Sequence, residues 1–252
     1  MNSPIPESSV KVRRTTGGAG SRYSGACGAA LAAMMLLLWT ASTAACGISV
    51  AQDSTTYING DVTTDCVEIA SGGRLVITDT GTLTLTGDPN SVSTINGWID
   101  LDDCGARLVF SADHTLSGSG YIAGHCGTAR VELLNAITLT VSSGFTIQGA
   151  LEIRAGSGTL DNDGLVEANH CCAGNTTLTC YSGTFTGSGE YKVSVSGCTL
   201  KLDLGISDTN LAADFTVTNG TLDIDEEVIT SGNYEQTGGT LDVAVGKKFQ
   251  AS

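Results

Sequence analysis

The sequence predicts an all-β protein whose larger part is a parallel β-helix, or β-solenoid, preceded by an N-terminal export segment. Three observations carry this. Short alternating runs recur after glycine, their recurrence has a loose period of about 20 residues, and helical periodicity is missing. The composition agrees: 252 residues contain 33 Gly, only 3 Pro and 5% aromatic residues. A core built with so few aromatics is thin and layered, filled by small and β-branched side chains.

The first element is the export segment. Lys11, Arg13, Arg14 and Arg22 form a basic start, and no charged residue follows until Asp53. The uncharged stretch contains LAAMMLLLW and ends in small residues, the order of a secretory signal. Ser49-Val50-Ala51 satisfies the small-x-small rule for cleavage before Gln52, which divides the chain into a signal, residues 1–51, and a solenoid, residues 52–252. Thr43-Ala44-Ala45-Cys46 offers a lipoprotein-like alternative. The stretch is also long enough to span a bilayer if it is retained, and it is the only expected link to a membrane. Arg13-Arg14 lacks the sequence that would follow it in a twin-arginine signal. The expected location is therefore the medium or the cell surface.

Charge excludes some partners. The formal net charge is −14, and residues 52–252 carry 8 Lys plus Arg against 25 Asp plus Glu, a net charge of −17. Such a surface repels nucleic acid and anionic membranes.

The strand elements come next. GRLVI from Gly73, GTLTL from Gly81, GWIDL from Gly97, GALEI from Gly149, GTLDI from Gly220 and GTLDV from Gly239 each alternate apolar and polar residues, the period of a half-buried strand. Gly220 to Gly239 and Gly164 to Gly183 are 19 residues apart, and Cys104 to Cys126 is 22. Several short strands per repeat indicate a coiled array, with a sandwich as the structural alternative. At about 22 residues per turn, the solenoid has roughly nine coils.

The phrases GGRLVITDTGTLTLTG and TVTNGTLDIDEEVITSGNYEQTGGTLDV resemble the right-handed parallel β-helix class of pectin-lyase-like and autotransporter-passenger proteins. The resemblance covers residues 57–247 and implies polysaccharide lyases, glycoside hydrolases, adhesins or inert stalks.

Seven Cys lie beyond Ala51: Cys66, Cys104, Cys126, Cys171, Cys172, Cys180 and Cys198. In an exported protein they are expected in disulfides, with one left over. Cys104 and Cys126 each end a Gly-led run, so stacked coils should hold their Cα atoms about 4.8 Å apart, within disulfide range. No metal centre is expected. His125-Cys126 and His170-Cys171-Cys172 are two coils apart, about 10 Å, too far to share one zinc ion.

Thr78-Asp79, Asp102-Asp103, Gly124-His125 and Arg154 follow one another at near-coil spacing and resemble the polygalacturonase arrangement. That resemblance implies Asp79, Asp102 and Asp103 as acid and base, His125 in support and Arg154 as a clamp on a substrate carboxylate. Ile77, Cys126 and Ala155-Gly156 depart from the family pattern. No catalytic set is therefore complete. Asp100, Asp102 and Asp103, or Asp223, Asp225, Glu226 and Glu227, supply hard oxygen ligands for weak Ca²⁺ binding, the one cofactor considered.

Thr-x-Thr units, including Thr82-Leu83-Thr84, Thr138-Leu139-Thr140 and Thr184-Phe185-Thr186, raise an ice-binding alternative, although their separations along the chain are irregular. No nucleotide loop or Ser-His-Asp arrangement is visible. The expected function is a structural or adhesive solenoid that binds extracellular polysaccharide or a surface protein without catalysis; a polysaccharide-active enzyme is the alternative. A shallow groove without convergent titratable groups should accompany it.

Overall fold

The computed structural model describes residues 46–88, 91–170, 176–204 and 209–251. The basic and apolar parts of the export segment, the twin-arginine pair and the small residues 42–45 lie outside them, as do Cys171 and Cys172.

Every described strand pairing is parallel, and successive strands fall into three walls of a solenoid of about eight turns. The first wall runs from Ile48–Val50 through Val67–Ile69, Ser91–Ile95, His114–Ser117, Thr138–Val141 and Thr159–Asn162 to Thr184–Thr186. The second wall stacks nine strands from Thr55–Ile58 to Tyr234–Gln236. The third runs from Asp61–Thr64 to Thr240–Val243, and joins the second in one sheet because Tyr121–Leu133 and Thr146–Arg154 pass through the corner without a break. Eight steps of about 4.8 Å make a rod roughly 40 Å long.

Alternation decides what fills the rod. One interior column of the second wall runs Leu75, Ile99, Ile122, Ile147, Val166, Tyr191, Phe215. All seven are at most 1% exposed. Burying a large aliphatic side chain contributes about 1.5–3 kcal/mol, and this column is one part of a continuous core that the other walls fill in the same way.

Coils differ in length because turns absorb insertions while the strands keep register. Tyr121 stacks on Thr146, 25 residues on, and Thr146 on Leu165, 19 residues on. The glycines at strand starts allow this stacking. A side chain at Gly97 would collide with the Gly73 carbonyl, which instead accepts the Trp98 amide at 3.1 Å.

The solenoid begins before the predicted boundary. Ile48–Val50 pairs with Val67–Ile69, Val50 is 2% exposed, and Cys46 is disulfide-bonded to Cys66. Residues 46–51, assigned to the signal by small-residue spacing, are part of the first coil. Ile48-Ser49-Val50 alternates as a strand, a pattern that small-x-small matching does not distinguish from a cleavage motif.

Candidate functional site

The second wall carries an open depression of about 410 Å³ between Arg74, Trp98, Tyr121, His125, Gln148 and His170. Stacking builds it. Arg74, Trp98 and Tyr121 are in register on consecutive coils, each directly after a strand-opening glycine, Gly73, Gly97 and Gly120. The Trp98 and Tyr121 rings are 5.9 Å apart between centroids and within 3° of parallel, because identical backbone positions give the side chains the same direction. Both are half-buried. Burial raises the Tyr121 pKa, with the Asp100 charge adding to the effect and Arg74 opposing it.

Two residues on, the outward column reads Asp100, Ala123, Gln148 and Glu167. The Asp100 side chain is only 6% exposed and accepts from the Arg74 guanidinium and from His125 Nε2, the latter at 3.3 Å. A buried carboxylate needs such partners, since an unpaired one would lose its hydration without compensation. Ala123 stacks on Asp100 and is small, which leaves room for His125 to reach back across it. Gly124 makes the corner possible: a Cβ there would meet the Leu151 Cβ at 2.5 Å.

His125 and His170 meet edge to face with centroids 5.0 Å apart, not the two-coil distance the sequence suggests. The coil between them presents Gly149 and Ala150 at this level, so nothing bulky separates the rings. Asn169 donates to Gln148 Oε1 and Glu167 Oε2, each at 2.9 Å, and the Lys192 ammonium lies 3.5 Å from Glu167. The result is an aromatic pair beside a floor of amides, imidazoles and a neutralised carboxylate. Titratable groups therefore do converge in a shallow groove, contrary to the expectation from sequence.

They are not the expected ones. Of Asp79, Asp102, Asp103, His125 and Arg154, only His125 enters the depression. Asp79 is an exposed turn residue with φ of 53°. Asp102 and Asp103 are exposed in the next turn, where Asp103 accepts the Cys104 amide at 2.7 Å. Both turns follow strands ending in Ile77 and Leu101, and inward alternation sends the acids past the corner. Arg154 lies on the third wall, in an ion cluster where Glu152 accepts from Arg130 at 3.1 Å and from Arg154 at 2.7 Å, and it covers the Tyr181 ring at 5.5 Å.

The acids considered for Ca²⁺ are also arranged otherwise. Asp100 points into the depression while Asp102 and Asp103 face solvent. Lys201 stands at 2.6 Å from Asp225 and 3.9 Å from Asp223, in the place a cation would take, and Lys247 pairs with Glu226. Burial raises the Asp223 pKa, and Asp225 adds to it. Among the described residues no group of three or more His, Cys, Asp or Glu is placed to hold a metal ion.

Cys104 and Cys126 are bridged, with Cα atoms 5.0 Å apart. The bond ties the turn after Trp98–Leu101 to the strand bearing His125. Cys198 is also disulfide-bonded, and Cys180 is a buried free thiol.

The threonines are more regular than their chain separations suggest. Thr138, Thr159 and Thr184 stack in register, as do Thr115 and Thr140. Asp161 interrupts the second column and accepts from Thr186 at 2.9 Å, and Thr82-Leu83-Thr84 lies on another wall.

Compared with known proteins, the chain matches no protein-family model, no curated protein and no solved structure.

Proposed function

We propose that the protein is an exported or surface-held solenoid that binds an extracellular polysaccharide in the depression of its second wall, with the rod serving as scaffold. The observation that carries this reading is the parallel Trp98–Tyr121 pair beside the Gln148 and Asn169 amides. Aromatic rings supply apolar surface to the C–H faces of a sugar, and planar polar groups next to them hydrogen-bond its hydroxyls. The open shape suits a chain lying along the strand ladder. An uncharged polymer fits best, because the −17 charge of residues 52–252 repels an acidic one and Asp100 neutralises Arg74. Export is supported by the basic-apolar-small order of the N-terminus and by the disulfides, which persist in oxidising compartments. The rod type is the pectin-lyase-like one that the repeat phrases resemble.

Binding of the purified protein to an array of neutral and acidic oligosaccharides tests the reading. Trp98→Ala and Tyr121→Ala should each weaken binding of the best neutral ligand about tenfold or more, about 1.4 kcal/mol. Undiminished binding in both variants would refute it. The Asp100–His125 pair favours one second reading, a polysaccharide-cleaving enzyme in which His125 moves a proton and Asp100 holds its ring. New chain ends that appear with the protein and vanish with His125→Ala would select that reading instead.

A further inference from the structure

Resting on the export reading above, we infer that the signal is cut on the N-terminal side of Cys46, at the Ala44–Ala45 or Ala45–Cys46 bond, and that the Cys46 sulfur ends in a disulfide rather than on a lipid. The first coil requires residues that cleavage before Gln52 would remove. Ile48, Ser49 and Val50 stack in register on Val67, Glu68 and Ile69 and form the outermost described strand of the first wall. Val50 lies against Val67 and Ile69, both fully buried.

Capping interactions hold the same segment from the other side. Asp65 Oδ1 accepts the Gly47 amide at 3.0 Å and the Cys66 amide at 2.9 Å, and these bonds lower the Asp65 pKa. The Ala70 amide donates to the Val50 carbonyl at 2.9 Å. Cys46 and Cys66 close the coil with Cα atoms 4.8 Å apart. A chain starting at Gln52 would leave Cys66 without its partner, Asp65 without the Gly47 amide, and an unpaired strand edge over the core.

Two bonds upstream satisfy the same small-residue rule. Ser42 and Ala44 precede one, and Thr43 and Ala45 precede the other. Cleavage is a hydrolysis: water adds across the peptide bond, leaving a carboxylate on Ala44 or Ala45 and an ammonium on the next residue. The bridge forms when the Cys46 and Cys66 thiols give two electrons to a disulfide-bearing oxidant of the export compartment, whose two sulfurs take up the two protons released. A thioether to lipid at Cys46 would consume the sulfur that the bridge uses.

The test is to express the full chain with a C-terminal tag in a secreting host, then to sequence the N-terminus and map peptides without reduction, in the exported and cell-bound fractions. A start at Ala45 or Cys46 with a Cys46–Cys66 linked peptide is expected. A start at Gln52, or a lipid mass on Cys46, would overturn the inference while leaving export intact. An exported chain that still begins at Met1 would do the same. A chain found only inside the cell would overturn export and the inference with it. Cys46→Ser should leave the cleavage near Ala44–Ala45 in place and yield Cys66 as a free thiol; a Cys66 still bridged in that variant would also refute the pairing.

Discussion

Two strands of nearly identical sequence are buried very differently. Thr221–Ile224 and Thr240–Val243 both follow a glycine and read TLDI and TLDV, and they pair with each other in register. In the first, Leu222 and Ile224 are 1% and 0% exposed, whereas Leu241 and Val243 are only partly buried. The difference lies in the neighbours. Among the described residues, Thr221–Ile224 has a strand on each side and Thr240–Val243 has one. Burial in a solenoid is thus a property of position in the stack, and stability is a sum over nearest-neighbour layers.

The largest expected effect separates these twins. Leu222→Ala should lower the unfolding free energy by about 3–4 kcal/mol, and Leu241→Ala by about 1 kcal/mol, because the second site gives up less buried surface and leaves no closed cavity. Equal losses in denaturant titration would show that the terminal layer is covered by something else.

The bridge in the central coils sharpens the comparison. Replacing both Cys104 and Cys126 by Ser should cost about 3 kcal/mol in the chain-entropy picture of a short loop. It should also speed hydrogen exchange at His125 and its neighbours more than at Thr240–Val243. A loss spread evenly along the rod would contradict layer-by-layer stability.

Acid tests a third layer, on the first wall. His114 is 2% exposed, its Nε2 meets the Ser93 hydroxyl at 2.8 Å, and Nδ1 has no hydrogen-bond partner among the described residues. Burial lowers its pKa to about 4, with Asp65 opposing the shift. The unfolded chain protonates this residue near pH 6.5 and the folded one only near pH 4, so the unfolded state binds more protons in between. Stability therefore falls as pH drops through that window, by up to about 3 kcal/mol. Against wild type, His114→Leu should gain by about that amount between pH 7 and pH 4. A difference that does not change with pH would mean the ring takes up its proton as easily in the fold as in the unfolded chain.

The fold was legible because glycine-led alternation states both strand and face, and GTLDI and GTLDV differ from each other mainly in their place in the stack. The site was half legible. His125 and Asp100 are visible in the sequence as titratable residues, but acids at coil spacing point to Asp79, Asp102 and Asp103, which alternation carries into solvent-facing turns. The missed signal was Gly97-Trp98 and Gly120-Tyr121: a rare aromatic directly after the strand-opening glycine in two consecutive coils. His114 was equally readable, since Leu116 faces inward and His114 shares its parity. The start of the first coil was not, because Ser49-Val50-Ala51 satisfies a peptidase and a strand equally well. Nor was the meeting of His125 with His170, which depends on the smallness of an intervening layer.

The most direct measurement uses the scarcity of tryptophan. The chain has two, Trp39 in the export segment and Trp98 in the depression. In the processed protein, tryptophan emission therefore reports the site alone. Titration with the neutral oligosaccharide that binds best should change the emission of Trp98 in a saturable way, with the midpoint moved about tenfold by Tyr121→Ala. Emission that stays constant while the same oligosaccharide binds would place the ligand elsewhere on the rod and contradict the assignment.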